Sequence, residues 1–89
     1  MMAGSTDQWR RAFGLRLKLV RVAKDLNQQQ MAKNLLISDR ALKNYEKGLR
    51  DPPASLVAKV SVDFDIDARW LLLGDPDAIV PLRAARDAI

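Results

Sequence analysis

The sequence predicts an all-α fold, and three observations carry that expectation. Apolar residues recur at spacings of three and four, the segments so marked are separated by helix caps and stops, and no alternating run reaches strand length. Eighty-nine residues make one domain with a modest core. The chain has no cysteine and no histidine, which excludes disulfides and leaves only carboxylates to hold a zinc ion.

Ser5 or Thr6 caps a first helix whose first turn holds Asp7, and Trp9, Phe13, Leu17 and Val20 mark its apolar face to about Lys24. Asp25-Leu26-Asn27 breaks that run. A second helix fits residues 28 to about 35 and buries Met31, Ala32 and Leu35. Ser38 caps a third helix over about 39–47, with Ala41, Leu42 and Tyr45 inward and Gly48 at its C-terminus. Arg50-Asp51-Pro52-Pro53 is a rigid connector, because successive prolines cannot continue a helix. A fourth helix over about 54–64 buries Leu56, Val57 and Val60, and Asp67 caps a short fifth that runs through Leu73 to Gly74.

The domain therefore spans 7–74, followed by a tail at 75–89 in which Pro81 can start a short sixth helix. Helix one carries a second apolar stripe, Leu15, Leu19 and Val22, which needs cover. The tail offers Ile79, Val80, Leu82 and Ile89, either folded back on its own domain or forming a dimer interface.

Charge is divided unevenly along the chain. Residues 9–50 hold 11 Lys/Arg against Asp25, Asp39 and Glu46, a net +8, whereas residues 51–89 are net −3. A basic front and an acidic rear suit a polyanion approached from one side. No apolar run approaches a membrane span, the nearest being Trp70-Leu71-Leu72-Leu73, and MMAGSTDQW lacks a signal pattern. A cytoplasmic protein without a membrane partner is the expectation.

The third helix indicates the chemistry. With its apolar residues inward, the pairs Asp39/Lys43 and Arg40/Asn44 share the outer face. Such side chains can read base edges: Arg bidentate to guanine, Asn to adenine, Asp accepting from cytosine. A short helix enters the major groove only if another element holds it there, which the helix over 28–35 can do, with Gln28 and its N-terminal amides on phosphate. A merely solvated charged face is the plainer alternative. Asp63, Asp65 and Asp67 mimic half a calcium loop, but Ala68 and Gly74 stand where that loop needs Gly and Glu. No Gly-rich phosphate loop is present, and the serines at 5, 38, 55 and 61 have no base partner, so neither a cofactor nor an enzyme activity is expected.

The order of motifs narrows the choice. FGLRLKLVR (13–21), LNQQQMAKNL (26–35), ISDRALKNYEKGLRDP (37–52) and VDFDIDARWLLLG (62–74) together resemble the lambda-repressor-like helix-turn-helix family of Cro/Xre type. The resemblance covers about 60 of 89 positions; YEKG with the following Pro52, and WLLLG, are its most specific parts. It implies a compact five-helix domain whose helix at 39–47 recognises duplex DNA and whose segment at 28–35 positions it. Where the family has glycine at the turn this chain has Leu36, so the turn either stays helical longer or carries slight strain.

The implied function is sequence-specific DNA binding and transcriptional regulation, as a repressor and homodimer on a pseudo-palindromic operator. Asp39, Arg40, Lys43 and Asn44 would read bases, while Asn27, Gln28, Gln29, Ser38, Lys47 and Arg50 would orient the backbone. The resemblance also places Arg21 against Glu46 as a structural ion pair. The antitoxin of a toxin–antitoxin pair, or an interaction module that keeps the fold without binding DNA, are the alternatives.

Overall fold

A computed structural model describes residues 2–74, with side chains from Thr6 onward. Among these residues the secondary structure is five helices: α1 (Met2–Ala23), α2 (Gln28–Leu35), α3 (Asp39–Glu46), α4 (Ala54–Asp63) and α5 (Ala68–Leu73). The second stripe's proposed cover, residues 75–89, and the sixth helix lie outside the described residues.

The first helix departs most from the sequence expectation. It begins at Met2, so neither Ser5 nor Thr6 is an N-cap. Asp7 is an interior residue paired with Arg10 one turn on. Ser and Thr prefer N-cap positions but are tolerated inside a helix, so a cap signal alone does not fix where a helix starts. The helices α2 and α5 lie where the sequence puts them, and α1, α3 and α4 each end one residue earlier than expected. Lys47 is the C-cap of α3, and Phe64 that of α4.

One core joins all five helices. Phe13, Leu17 and Val20 of α1 meet Met31, Ala32 and Leu35 of α2, Leu42 and Tyr45 of α3, Leu56, Val57 and Val60 of α4, and Trp70 and Leu71 of α5. Phe64 and Ile66, in the α4–α5 connection, complete it. Trp9 is half-buried and stacks on Phe13, ring centroids 5.4 Å apart. In the second stripe Leu19 packs against the core, whereas Leu15 and Val22 remain exposed.

Two helix starts show how local chemistry fixes the arrangement. Asn27 and Gln30 form a reciprocal capping box at α2: the Gln30 amide donates to Asn27 Oδ1 at 2.8 Å, and the Asn27 amide donates to Gln30 Oε1 at 2.9 Å. Ser38 Oγ accepts from the Ala41 amide at 3.0 Å and starts α3. Between them Leu36 adopts φ 60°, ψ 39°, the left-handed conformation. The turn therefore takes the strained option: it has the backbone of a glycine C-cap without the glycine.

Asp63 pairs with Lys59 and Asp67 caps α5, so two of the three calcium-loop mimics serve the helices. Among the described residues no group of carboxylates is placed to hold a metal ion, and no helix is long and apolar enough to cross a membrane.

Candidate nucleic-acid interface

The outer face of α3 follows from burying its inner one. Leu42 and Tyr45 are buried and Ala41 packs partly against the core. The helical twist then carries Asp39, Arg40 and Lys43 into solvent, while Asn44 is half-buried. Asp39 also lies in the first turn, where a carboxylate opposes the partial positive charge of the helix N-terminus.

The C-terminal end of α3 is anchored by a polar network. Arg21 of α1 donates from Nε to Glu46 Oε2 at 2.8 Å and from Nη2 to Oε1 at 3.2 Å. Its Nη1 reaches the Leu26 carbonyl at 3.1 Å, and Gln28 Nε2 donates to Glu46 Oε1 at 3.1 Å. The Arg21 and Glu46 side chains are only 13 % and 5 % exposed, so water screens this pair little. Three helices meet at one carboxylate, α1 through Arg21, α2 through Gln28 and α3 through Glu46 itself, and Arg21 ties in the break after α1. Close packing reinforces the joint at Gly14, where an added Cβ would lie 2.4 Å from the Glu46 carbonyl oxygen and 2.6 Å from that of Tyr45.

The residues expected along the DNA backbone fall into two groups. Gln29, Lys47 and Arg50 are exposed, and the Arg50 guanidinium lies 5.4 Å from the centre of the Tyr45 ring. Asn27 and Ser38 are exposed but use their side-chain oxygens as helix caps. Gln28 is half-buried with its amide group engaged by Glu46. Its side chain serves the scaffold.

Three of the eleven front cations are also spent internally. Arg21 serves Glu46, and Arg10 serves Asp7, Asp51 and the Gly48 carbonyl. Arg16 is 2 % exposed and donates to three carbonyls at the end of α5: Nε to Leu71 at 2.7 Å, Nη2 to Leu72 at 2.9 Å and Nη1 to Gly74 at 2.9 Å. Burial lowers its pKa from the ordinary value because the charged form loses water, while the three carbonyl dipoles replace part of that hydration. Trp9 Nε1 joins it at the Leu72 carbonyl, at 2.8 Å. Charge counting missed this role. Helical spacing held the signal, since Arg16 stands three residues after Phe13 and seven after Trp9, within the apolar arc.

The helix-turn-helix domain family matches residues 14–75. Among solved structures, the chain is similar to the restriction-modification controller protein C.AhdI from Aeromonas hydrophila. The identity is 30 %, the TM-score is 0.64, and the match covers 68 % of this chain and 92 % of that one. No curated protein sequence gives a significant match. With the fold, the turn and the presented α3 face, these matches show that the chain belongs to the Cro/Xre-like helix-turn-helix family of DNA-binding transcription regulators.

Proposed function

We propose that this chain binds duplex DNA sequence-specifically as a homodimer and represses transcription in the cytoplasm, without catalysing a reaction. The observation that carries this reading is the exposed outer face of α3, backed by a buried anchor at Glu46. A rigid scaffold presenting unspent hydrogen-bonding side chains is what base readout requires. Arg40 offers a bidentate donor to guanine, Asp39 an acceptor, Lys43 a donor and Asn44 a donor–acceptor pair. Gln29, Lys47 and Arg50 supply backbone contacts, beside the helix starts capped by Asn27 and Ser38.

One recognition helix makes too few base contacts for genomic specificity. Two copies would read half-sites roughly 34–36 Å apart on a pseudo-palindromic operator. The test is selection of bound sites from random duplex DNA, followed by Arg40→Ala on the selected site. Arg40→Ala should cost about 1–3 kcal/mol and relax preference at one base pair per half-site. Equal losses on every duplex would remove Arg40 as a reader, and failure to enrich any sequence would remove the function.

A further inference from the structure

Arg10 and Arg11 are neighbours in α1 with opposite fates. Arg10 is spent: it donates from Nε to the Gly48 carbonyl at 3.3 Å and from Nη1 to Asp51 at 3.4 Å, and pairs through Nη2 with Asp7. It latches the chain after α3 onto α1, and two carboxylates offset its charge. Arg11 is exposed and has no ion pair or hydrogen-bond partner among the described residues.

The latch sets where Arg11 stands. Gly48 adopts φ 75° and packs so closely on α1 that an added Cβ would lie 2.8 Å from Arg11 Cα and 2.9 Å from its Cγ. The Arg11 side chain therefore leaves α1 beside Gly48. Lys47 precedes Gly48, Arg50 follows two residues later, and both are exposed. Lys43 on α3 and Lys47, its C-cap one turn on, continue this cationic edge back to the outer face of that helix. The nearby acidic groups do not neutralise it: Asp7 and Asp51 face Arg10, and Glu46 faces Arg21 and Gln28.

We propose that Arg11 binds a backbone phosphate of duplex DNA, forming with Lys47 and Arg50 a three-cation clamp around Gly48 beside the base-reading face. It is a DNA-contacting residue supplied by α1, three positions ahead of the first residue of the family match. A guanidinium suits this task because its planar fork meets two phosphate oxygens at once. Being drawn to phosphate alone, Arg11 adds affinity and register without adding sequence preference. The inference rests on the DNA-binding reading above.

The experiment uses the full chain, a duplex carrying the selected site, and single-mismatch duplexes of the same length. Affinities of wild type, Arg11→Gln, Arg11→Lys, Lys47→Ala and Arg40→Ala are measured between 50 and 200 mM salt. Arg11→Gln should flatten the dependence of log K on log salt by about one unit, so that the wild-type advantage narrows about fourfold over that range. The loss should be the same on matched and mismatched duplexes, and Arg11→Lys should keep the wild-type slope.

An unchanged slope for Arg11→Gln, with Lys47→Ala flattened and Arg40→Ala still selective in its loss, overturns the clamp and leaves the function standing. A loss confined to the matched duplex overturns the phosphate assignment, since it makes Arg11 a base reader. Wild type without sequence preference and indifferent to Arg40→Ala overturns both readings.

Discussion

At the scale of single residues, Glu46 and Leu36 carry opposite kinds of cost. Glu46 is the shared acceptor of Arg21 and Gln28, and its removal leaves a guanidinium 13 % exposed with one carbonyl partner, Leu26. Breaking a buried pair from one side typically costs about 3–5 kcal/mol. Because Arg21 keeps that carbonyl, Glu46→Ala should lie near the lower end, about 3 kcal/mol. For a domain of this size that lowers Tm on the order of 15 °C, readable by thermal melting followed by circular dichroism. An unchanged Tm would mean the pair contributes nothing. Leu36 is 82 % exposed and holds φ 60° without a glycine's freedom. Leu36→Gly relieves a left-handed backbone worth roughly 1–2 kcal/mol and loses up to about 1 kcal/mol to unfolded-chain entropy. A net gain of about 0.5–1 kcal/mol in urea unfolding is expected, and a loss would show that the side chain packs or that the backbone is not strained.

At the scale of elements, the recognition helix is set by what lies behind it. α3 approaches α1 closely enough that Gly14 has no room for a methyl group against the Tyr45 and Glu46 carbonyls. Those are backbone atoms and cannot rotate away. Gly14→Ala should therefore push α3 off α1 and cost about 1–3 kcal/mol by overpacking, despite alanine's better helix propensity. If Gly14→Ala raised stability instead, the close approach would be absent. The end of α5 depends likewise on Arg16, which satisfies carbonyls that a helix C-terminus otherwise leaves open. Arg16→Met keeps much of the apolar stem and removes three charge-assisted bonds. It should cost about 2 kcal/mol, since relief from a buried charge offsets part of the loss. A melt unchanged from wild type would show that the carbonyls find other partners.

At the scale of the whole molecule, the distribution of charge separates binding from assembly. The front cations left unspent include Arg11, Arg40, Lys43, Lys47 and Arg50, clustered on α3 and the segments beside it. The exposed apolar residues include Leu15 and Val22 on α1, Val62 on α4 and Leu73 on α5. This surplus, with the apolar residues of 79–89, motivates the expectation that α5 and the tail make the dimer contact. Deleting residues 78–89 should leave a helical domain that sediments as a monomer and binds an operator with the weaker, non-cooperative affinity of one half-site. A truncated chain that still sediments as a dimer would refute that placement, as would an intact chain that is monomeric both free and on DNA.

Whatever depends on near neighbours was legible in the sequence. The positions of α2 and α3 and the outward placement of Asp39, Arg40 and Lys43 follow from spacings of three and four, which a helix turns directly into faces, and the caps at Ser38 and Asp67 follow from residue type beside them. Asn27, read only as a break and a backbone contact, also proved to be a cap. The start of α1 escaped that logic because Ser and Thr are tolerated inside a helix as well as at its cap, and the helix runs through both from Met2. Which of the adjacent Arg10 and Arg11 is free, and what Arg16 binds, was decided by the tertiary structure. Arg10 is engaged by Gly48, 38 residues away, and Arg16 by Leu71, 55 residues away, whereas Arg11 is left in solvent. Gln28, read from sequence as a phosphate ligand, donates its amide to Glu46, 18 residues on, a bond the sequence did not signal. Charge composition says how many cations a chain has. Only packing decides which of them must exchange water for protein carbonyls and carboxylates, and so which remain to meet a phosphate.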